Sequence, residues 1–142
     1  MDKRIIYKME NNGVAVLCPT NSWTGTLEEL AAKDIPADAD WKIVNLSEVP
    51  TDRTFRSAWE YNNGLTVNVD KAKEIQKDKW RAARKPVLEK LDIDFMKAVE
   101  TMDTNTIQTI AQQKQALRDV TNTSLPDDLE GIKNTWPEIL NG

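Results

Sequence analysis

Histidine is absent from this 142-residue chain, cysteine occurs once, and only five glycines are spread along it. The missing histidine excludes the most. It is the commonest general base and metal ligand, so Ser-His-Asp and Cys-His catalysis fall away with the His-containing zinc sites. Cys18 alone can form neither an internal disulfide nor a four-thiolate cluster. Set in the apolar stretch Val14 to Pro19, it reads as a buried thiol in a protein made in a reducing, cytoplasmic compartment. No apolar run approaches the roughly 18 residues that a bilayer span needs. Met1-Asp2-Lys3-Arg4 is not followed by the apolar core of a secretory signal. Nineteen basic residues against 23 acidic ones give a net charge of -4, which argues against a general nucleic-acid or anionic-membrane binder. Carboxylate chemistry, lysine chemistry or no chemistry remains, and the reading is a non-enzyme with no catalytic residue, metal or cofactor.

What is present is patterned in two halves, which makes the expected fold class α+β. Ile5 to Met9 and Val14 to Leu17 are β-prone, and Asn11-Asn12-Gly13 between them suits a tight turn. Thr26-Leu27-Glu28-Glu29 has the form of a capping box, opening a short helix that carries Leu27, Leu30 and Ala31 on one face. Asp34-Ile35-Pro36 stops it. Trp41 to Leu46 is a third strand candidate. Trp59 to Tyr61 and Leu65 to Val69 flank Asn62-Asn63-Gly64 as a second hairpin. The result is a β-rich unit over residues 1–69 with two hairpins and one short helix.

At Asp70, a suitable N-cap, the period changes. Ile75, Trp80, Ala83, Val87, Leu91, Phe95, Ala98, Val99 and Met102 recur at steps of three and four, the signature of one long helix. Pro86 interrupts it and predicts a kink near Ala82 to Pro86. A polar connection, Glu100 to Thr106, leads to a second helix ending near Val120, with Ile107, Ile110, Ala111, Lys114, Leu117 and Thr121 on one face. So short a connection makes the pair an antiparallel helical hairpin over 70–121. Residues 122–142 hold Pro126, Gly131 and Pro137 and read as an irregular tail. The long helix would extend about 50 Å, more than its shorter partner covers. Ile75, Val87, Leu91, Phe95 and Val99 therefore suggest a homodimer through this arm, or a partner upon it.

Three groups of residues invite a chemical reading. Glu89 and Asp92 share a helix face, but Asp94 points elsewhere and no base accompanies them, so a solvated face is the simpler account. Lys77, Lys79, Arg81, Arg84 and Lys85 surround Trp80 within the helix 71–90. That pattern can bind single-stranded nucleic acid, although Glu74, Asp78 and Glu89 dilute its charge and Trp80 belongs to the apolar stripe. Among the tryptophans, Trp41, Trp59 and Trp80 read as core. Trp136, in Asn134-Thr135-Trp136-Pro137, either folds back on its own protein or anchors in another.

The series Arg84, Leu88, Asp92, then Gln115-Ala116-Leu117-Arg118-Asp119, then a proline-containing linker ending in Trp136-Pro137, resembles the C-terminal module of bacteriophage tail assembly chaperones and tail-fibre assembly proteins. The resemblance spans about residues 80–140. Asp92-Ile93 stands where that family often has Asp-Trp, and Lys114 where it often has tyrosine. The resemblance implies a non-catalytic factor that acts by binding a tail or tail-fibre subunit, in the host cytoplasm or carried into the virion. Trp80, Arg84, Leu88, Asp92, Arg118, Asp119, Trp136 and Pro137 are then the partner-binding candidates. Arg118 and Asp119 also fit an ordinary helix C-terminal turn, where an arginine meets the helix dipole favourably. The alternative function is a small nucleic-acid-binding protein using the helix 71–90.

Overall fold

The computed structural model describes residues 2–142 and divides the chain into two compact units, one ending at Ala72 and one beginning at Lys73. Strands occupy the first and helices dominate the second, the α+β arrangement expected.

In the first unit β1 (Lys3–Lys8) lies between β2 (Val14–Leu17) and β3 (Trp41–Asn45), antiparallel to both. Ile5 stands opposite Leu17 and Ile43, and Ile6 opposite Val16 and Lys42. Successive side chains leave opposite faces of a strand, so these two isoleucines serve two different cores. Ile5 packs with Leu30, Ala31 and Ile35 from and just beyond α1 (Leu27–Asp34). Ile6 packs with Val14, Val44, Trp59 and Tyr61, the last two from β4 (Trp59–Tyr61), which pairs with β5 (Leu65–Val67). With both faces of the sheet covered, neighbours in sequence are both wholly buried. Burial of this kind contributes about 1.5–3 kcal/mol per side chain.

Local chemistry places these elements. In the capping box of α1, Glu29 N donates to Thr26 Oγ1 at 3.1 Å and Thr26 N donates to Glu29 Oε2 at 3.2 Å. In the first turn the left-handed conformation falls on Asn11 and Asn12, at φ 60° and 63°, rather than on Gly13. Asparagine tolerates that region because its amide can bond the local backbone. The second turn uses Asn63 (φ 52°) and Gly64 (φ 153°). Two expectations fail in this unit. Cys18 is exposed, lying one residue past the end of β2. Trp41 is exposed too, because β3 is an edge strand and Trp41 is its first residue.

The long helix α2 (Val69–Glu100) starts one residue earlier than expected. Asn68, not Asp70, caps it: Asn68 Oδ1 accepts from Lys71 N at 3.1 Å, and β5 accordingly stops at Val67. The helix is continuous across Pro86, whose ring is exposed. It closes in a Schellman turn, with Asp103 N donating to Ala98 O at 2.9 Å and Met102 N to Val99 O at 3.1 Å. Met102 takes the left-handed position, at φ 56°, where glycine is usual. Replacing Met102 with Gly should therefore stabilise the protein by roughly 0.5–1 kcal/mol, whereas Met102→Val should destabilise it. Urea melts of the two variants would check this, and a loss of stability on Met102→Gly would contradict it.

Asp103 then caps α3 (Thr104–Arg118), accepting from Thr106 N at 3.2 Å and from Thr106 Oγ1 at 2.6 Å. These two bonds, the hydroxyl one first, hold the Asp103 carboxyl below its ordinary range. α3 returns antiparallel along α2, as the Asp92–Lys114 ion pair at 2.6 Å and the contact of Arg84 with the end of α3 both require.

The segment after residue 121, expected to be irregular, forms α4 (Leu129–Asn134) and a final 3₁₀ turn over Glu138–Asn141. Asp128 caps α4 through Gly131 N at 2.7 Å. A Cβ at Gly131 would come within 2.6 Å of Pro126 and 2.7 Å of Asp128, so this glycine serves close packing rather than flexibility. The segment has order because it carries apolar side chains into the helical core. Ile132 is wholly buried, and Leu140 packs with Trp80, Leu117 and Val120.

Candidate protein-binding site

Trp80 organises the helical unit. Its ring is 0% exposed, packed among Leu117, Val120 and Leu140 with Ala83, Val87, Leu88 and Leu91 around them. A buried indole N–H needs an acceptor, and Trp80 Nε1 finds Thr135 O at 3.2 Å. Gln76, also buried, donates to the same carbonyl at 3.0 Å. Two donors on successive turns of α2 thus fasten the backbone just before Trp136.

The other candidate residues surround this core. Arg84 donates through Nη1 to the carbonyls of Leu117 and Arg118, at 3.3 and 3.1 Å. A guanidinium there meets carbonyls of the last turn of α3, where the helix dipole favours positive charge. Leu88 is half-buried against the Trp80 cluster. Asp92 is exposed and paired with Lys114, whose ammonium also lies 5.2 Å from the Phe95 ring centroid. Arg118 and Asp119 are exposed, and both bond Gln115, at 3.0 Å each. Trp136 is 41% exposed, with its Nε1 donating to Asn141 Oδ1 at 3.0 Å. Pro137 is half-buried. The three stretches therefore meet in one unit, with Trp80 inside it and Arg118, Asp119 and Trp136 at its surface.

An open groove of about 360 Å³ runs beside them. Val87, Leu91, Leu117 and Ile139 give it an apolar floor, and Lys90, Asp94 and Gln113 give it polar sides. Val87 and Leu91 were legible in the sequence as part of the helical stripe. Ile139 and Gln113 were not, since nothing local brings residue 139 to a helix that began 70 residues earlier.

The basic helix presents a different picture from its sequence. Lys71 pairs with Glu60 at 2.9 Å, Lys73 with Asp127 at 2.6 Å, and Arg81 with Asp78 and Glu74. Lys71 and then Asn68 hold the Glu60 carboxyl below its usual range, and Lys73 does the same to Asp127. With Arg84 committed to α3 carbonyls, four basic side chains of the helix, Lys71, Lys73, Arg81 and Arg84, already have partners within the chain.

Among the described residues no three Cys, Asp or Glu side chains come together as a metal site, and no helix is long and apolar enough to cross a membrane. Comparisons with protein-family models, with curated proteins and with solved structures returned no match.

Proposed function

We propose that this chain is a non-catalytic assembly factor of phage tails or tail fibres, acting by binding a tail or tail-fibre subunit. The observation that carries the reading is the groove floored by Val87, Leu91, Leu117 and Ile139. A groove of this size between two helices accepts one or two apolar side chains from a partner segment, with Lys90, Asp94 and Gln113 fixing its direction. Subunits that trimerise late expose apolar faces and strand edges beforehand, and covering them requires binding without chemistry. The resemblance supplies the partner's class, and its three sequence stretches meet in the unit that holds the groove.

Co-expression with individual tail and tail-fibre subunits tests the reading. The expected result is a soluble complex of fixed stoichiometry and a higher soluble yield of the subunit. Gln113→Trp, which places a large ring at the exposed mouth of the groove, should abolish the complex without lowering the melting temperature. If no tail subunit binds or gains solubility, the reading fails. Salt-sensitive binding of single-stranded DNA or RNA would favour the basic-helix function instead.

A further inference from the structure

The β1–β3 ladder decides where each backbone group of β3 points. In an antiparallel pair every second residue exchanges hydrogen bonds with its opposite number, and the residues between turn their N–H and C=O groups away. Lys8 N donates to Asp40 O at 2.8 Å, and Leu46 N donates to Asp2 O at 2.7 Å. Both bonds lie in the β1–β3 register, which makes Lys42 and Val44 the residues of β3 bonded to β1. Trp41, Ile43 and Asn45 therefore turn theirs to the outer edge of the sheet. One of these groups is taken, since Asn45 N donates to Glu48 Oε2 at 2.7 Å. The N–H and C=O of Trp41 and of Ile43, with the Asn45 carbonyl, have no partner among the described residues. The opposite edge of the sheet differs, because Arg56 Nη1 donates to Val14 O of β2 at 3.2 Å.

We infer that this edge receives an extended segment of another protein, which joins the three-stranded sheet as a fourth strand beside β3. Open donors and acceptors that alternate at strand spacing are met together only by another strand backbone. A second copy of the chain fits badly in every antiparallel register. Centring the two-fold axis on Lys42 sets the two lysines directly opposite each other. Centring it on Ile43 leaves both Trp41 carbonyls facing an Asn45 N–H that Glu48 already holds. On Val44 the same cap leaves both Ile43 carbonyls without a donor, and registers shifted further run past the ends of the strand. A short edge that carries a lysine resists joining its own kind, in keeping with a foreign occupant. The side chains state its chemistry. Trp41 is 40% exposed and Ile43 partly so, on one face, and the incoming residues beside them are apolar. On the other face Lys42 bonds the Asn63 carbonyl but no carboxylate, so an acid belongs beside it. Asp40, exposed on that same face, excludes an acid beside itself.

This inference does not rest on the tail-assembly reading. Hydrogen exchange in the free chain checks its premise: the Trp41 and Ile43 amides should exchange far faster than those of Lys42 and Val44. Selection of the full chain against a random peptide library should then enrich peptides in which an acid stands between two apolar residues. Synthetic copies of these peptides should protect the Trp41 and Ile43 amides on binding. N-methylation of a peptide amide that faces the edge should weaken binding about tenfold, whereas N-methylation of the next amide should not. Lys42→Glu, shown to be folded by circular dichroism, should exchange the selected acid for a base. Slow exchange at Trp41 and Ile43 in the free chain overturns the proposal, as does a library that yields no binder or binders without the alternation. So do binders that ignore N-methylation or leave the two amides unprotected. A dimer that protects these amides would make a second copy the occupant and overturn it equally. Peptide binding by a chain that solubilises no tail subunit would leave this inference standing and remove the other.

Discussion

Removing residues 129–142 is expected to unfold the helical unit rather than trim an appendage. The deletion takes away Ile132 and Leu140, both buried, together with the Thr135 carbonyl that accepts from Gln76 and Trp80. Losing a buried Ile or Leu side chain costs roughly 2–5 kcal/mol, and a buried donor left without an acceptor adds about 1–3 kcal/mol. Two of each come close to the roughly 5–15 kcal/mol that holds a typical domain together. Melting curves of residues 1–128 and of the full chain should therefore differ by many degrees, and the helical circular dichroism signal should fall by more than the deleted residues carry. Coincident curves would show that the C-terminal segment is dispensable. Trp136→Ala separates the roles within the segment: with its ring part exposed, its loss should cost far less than the truncation.

Trp80→Ala is the second large effect. It empties the centre of the Trp80, Leu117, Val120 and Leu140 cluster and should cost roughly 3–5 kcal/mol. Trp80→Phe keeps most of the apolar contact and loses only the N–H. Thr135 O still receives Gln76 Nε2 at 3.0 Å, so that variant should cost about 1–2 kcal/mol. Urea titrations of both variants give the comparison. Equal losses would mean that the hydrogen bond to Thr135, and not the packing of the ring, secures the C-terminal segment.

Where an element announced itself by period or by capping chemistry, its sequence was enough. The capping box at Thr26 and Glu29, the asparagine turns and the long apolar stripe of α2 all rest on interactions within a few residues. The C-terminal segment rests on contacts more than fifty residues apart, and α4, six residues long, is too short to display a helical period. The burial there falls on Ile132 and Leu140, while Trp136, the largest apolar side chain of the segment and open to either reading from sequence, stays part exposed. Cys18 and Trp41 failed for a related reason, since strand edges and strand ends are set by pairing order and not by hydropathy. Of the candidate surface, the stripe residues Val87 and Leu91 were legible.

The central position of β1 also has a kinetic meaning. Its partner β2 follows across one tight turn, and a hairpin of that kind closes in about 1–10 μs. Its other partner, β3, arrives only after α1, and closing the longer loop is slower because its entropy is lost before pairing repays it. During refolding there is thus an interval in which the hairpin exists and the second edge of β1 is bare. A bare edge accepts a strand from any neighbouring molecule. Refolding of the N-terminal unit is therefore expected to give a higher yield of native sheet as the protein is diluted.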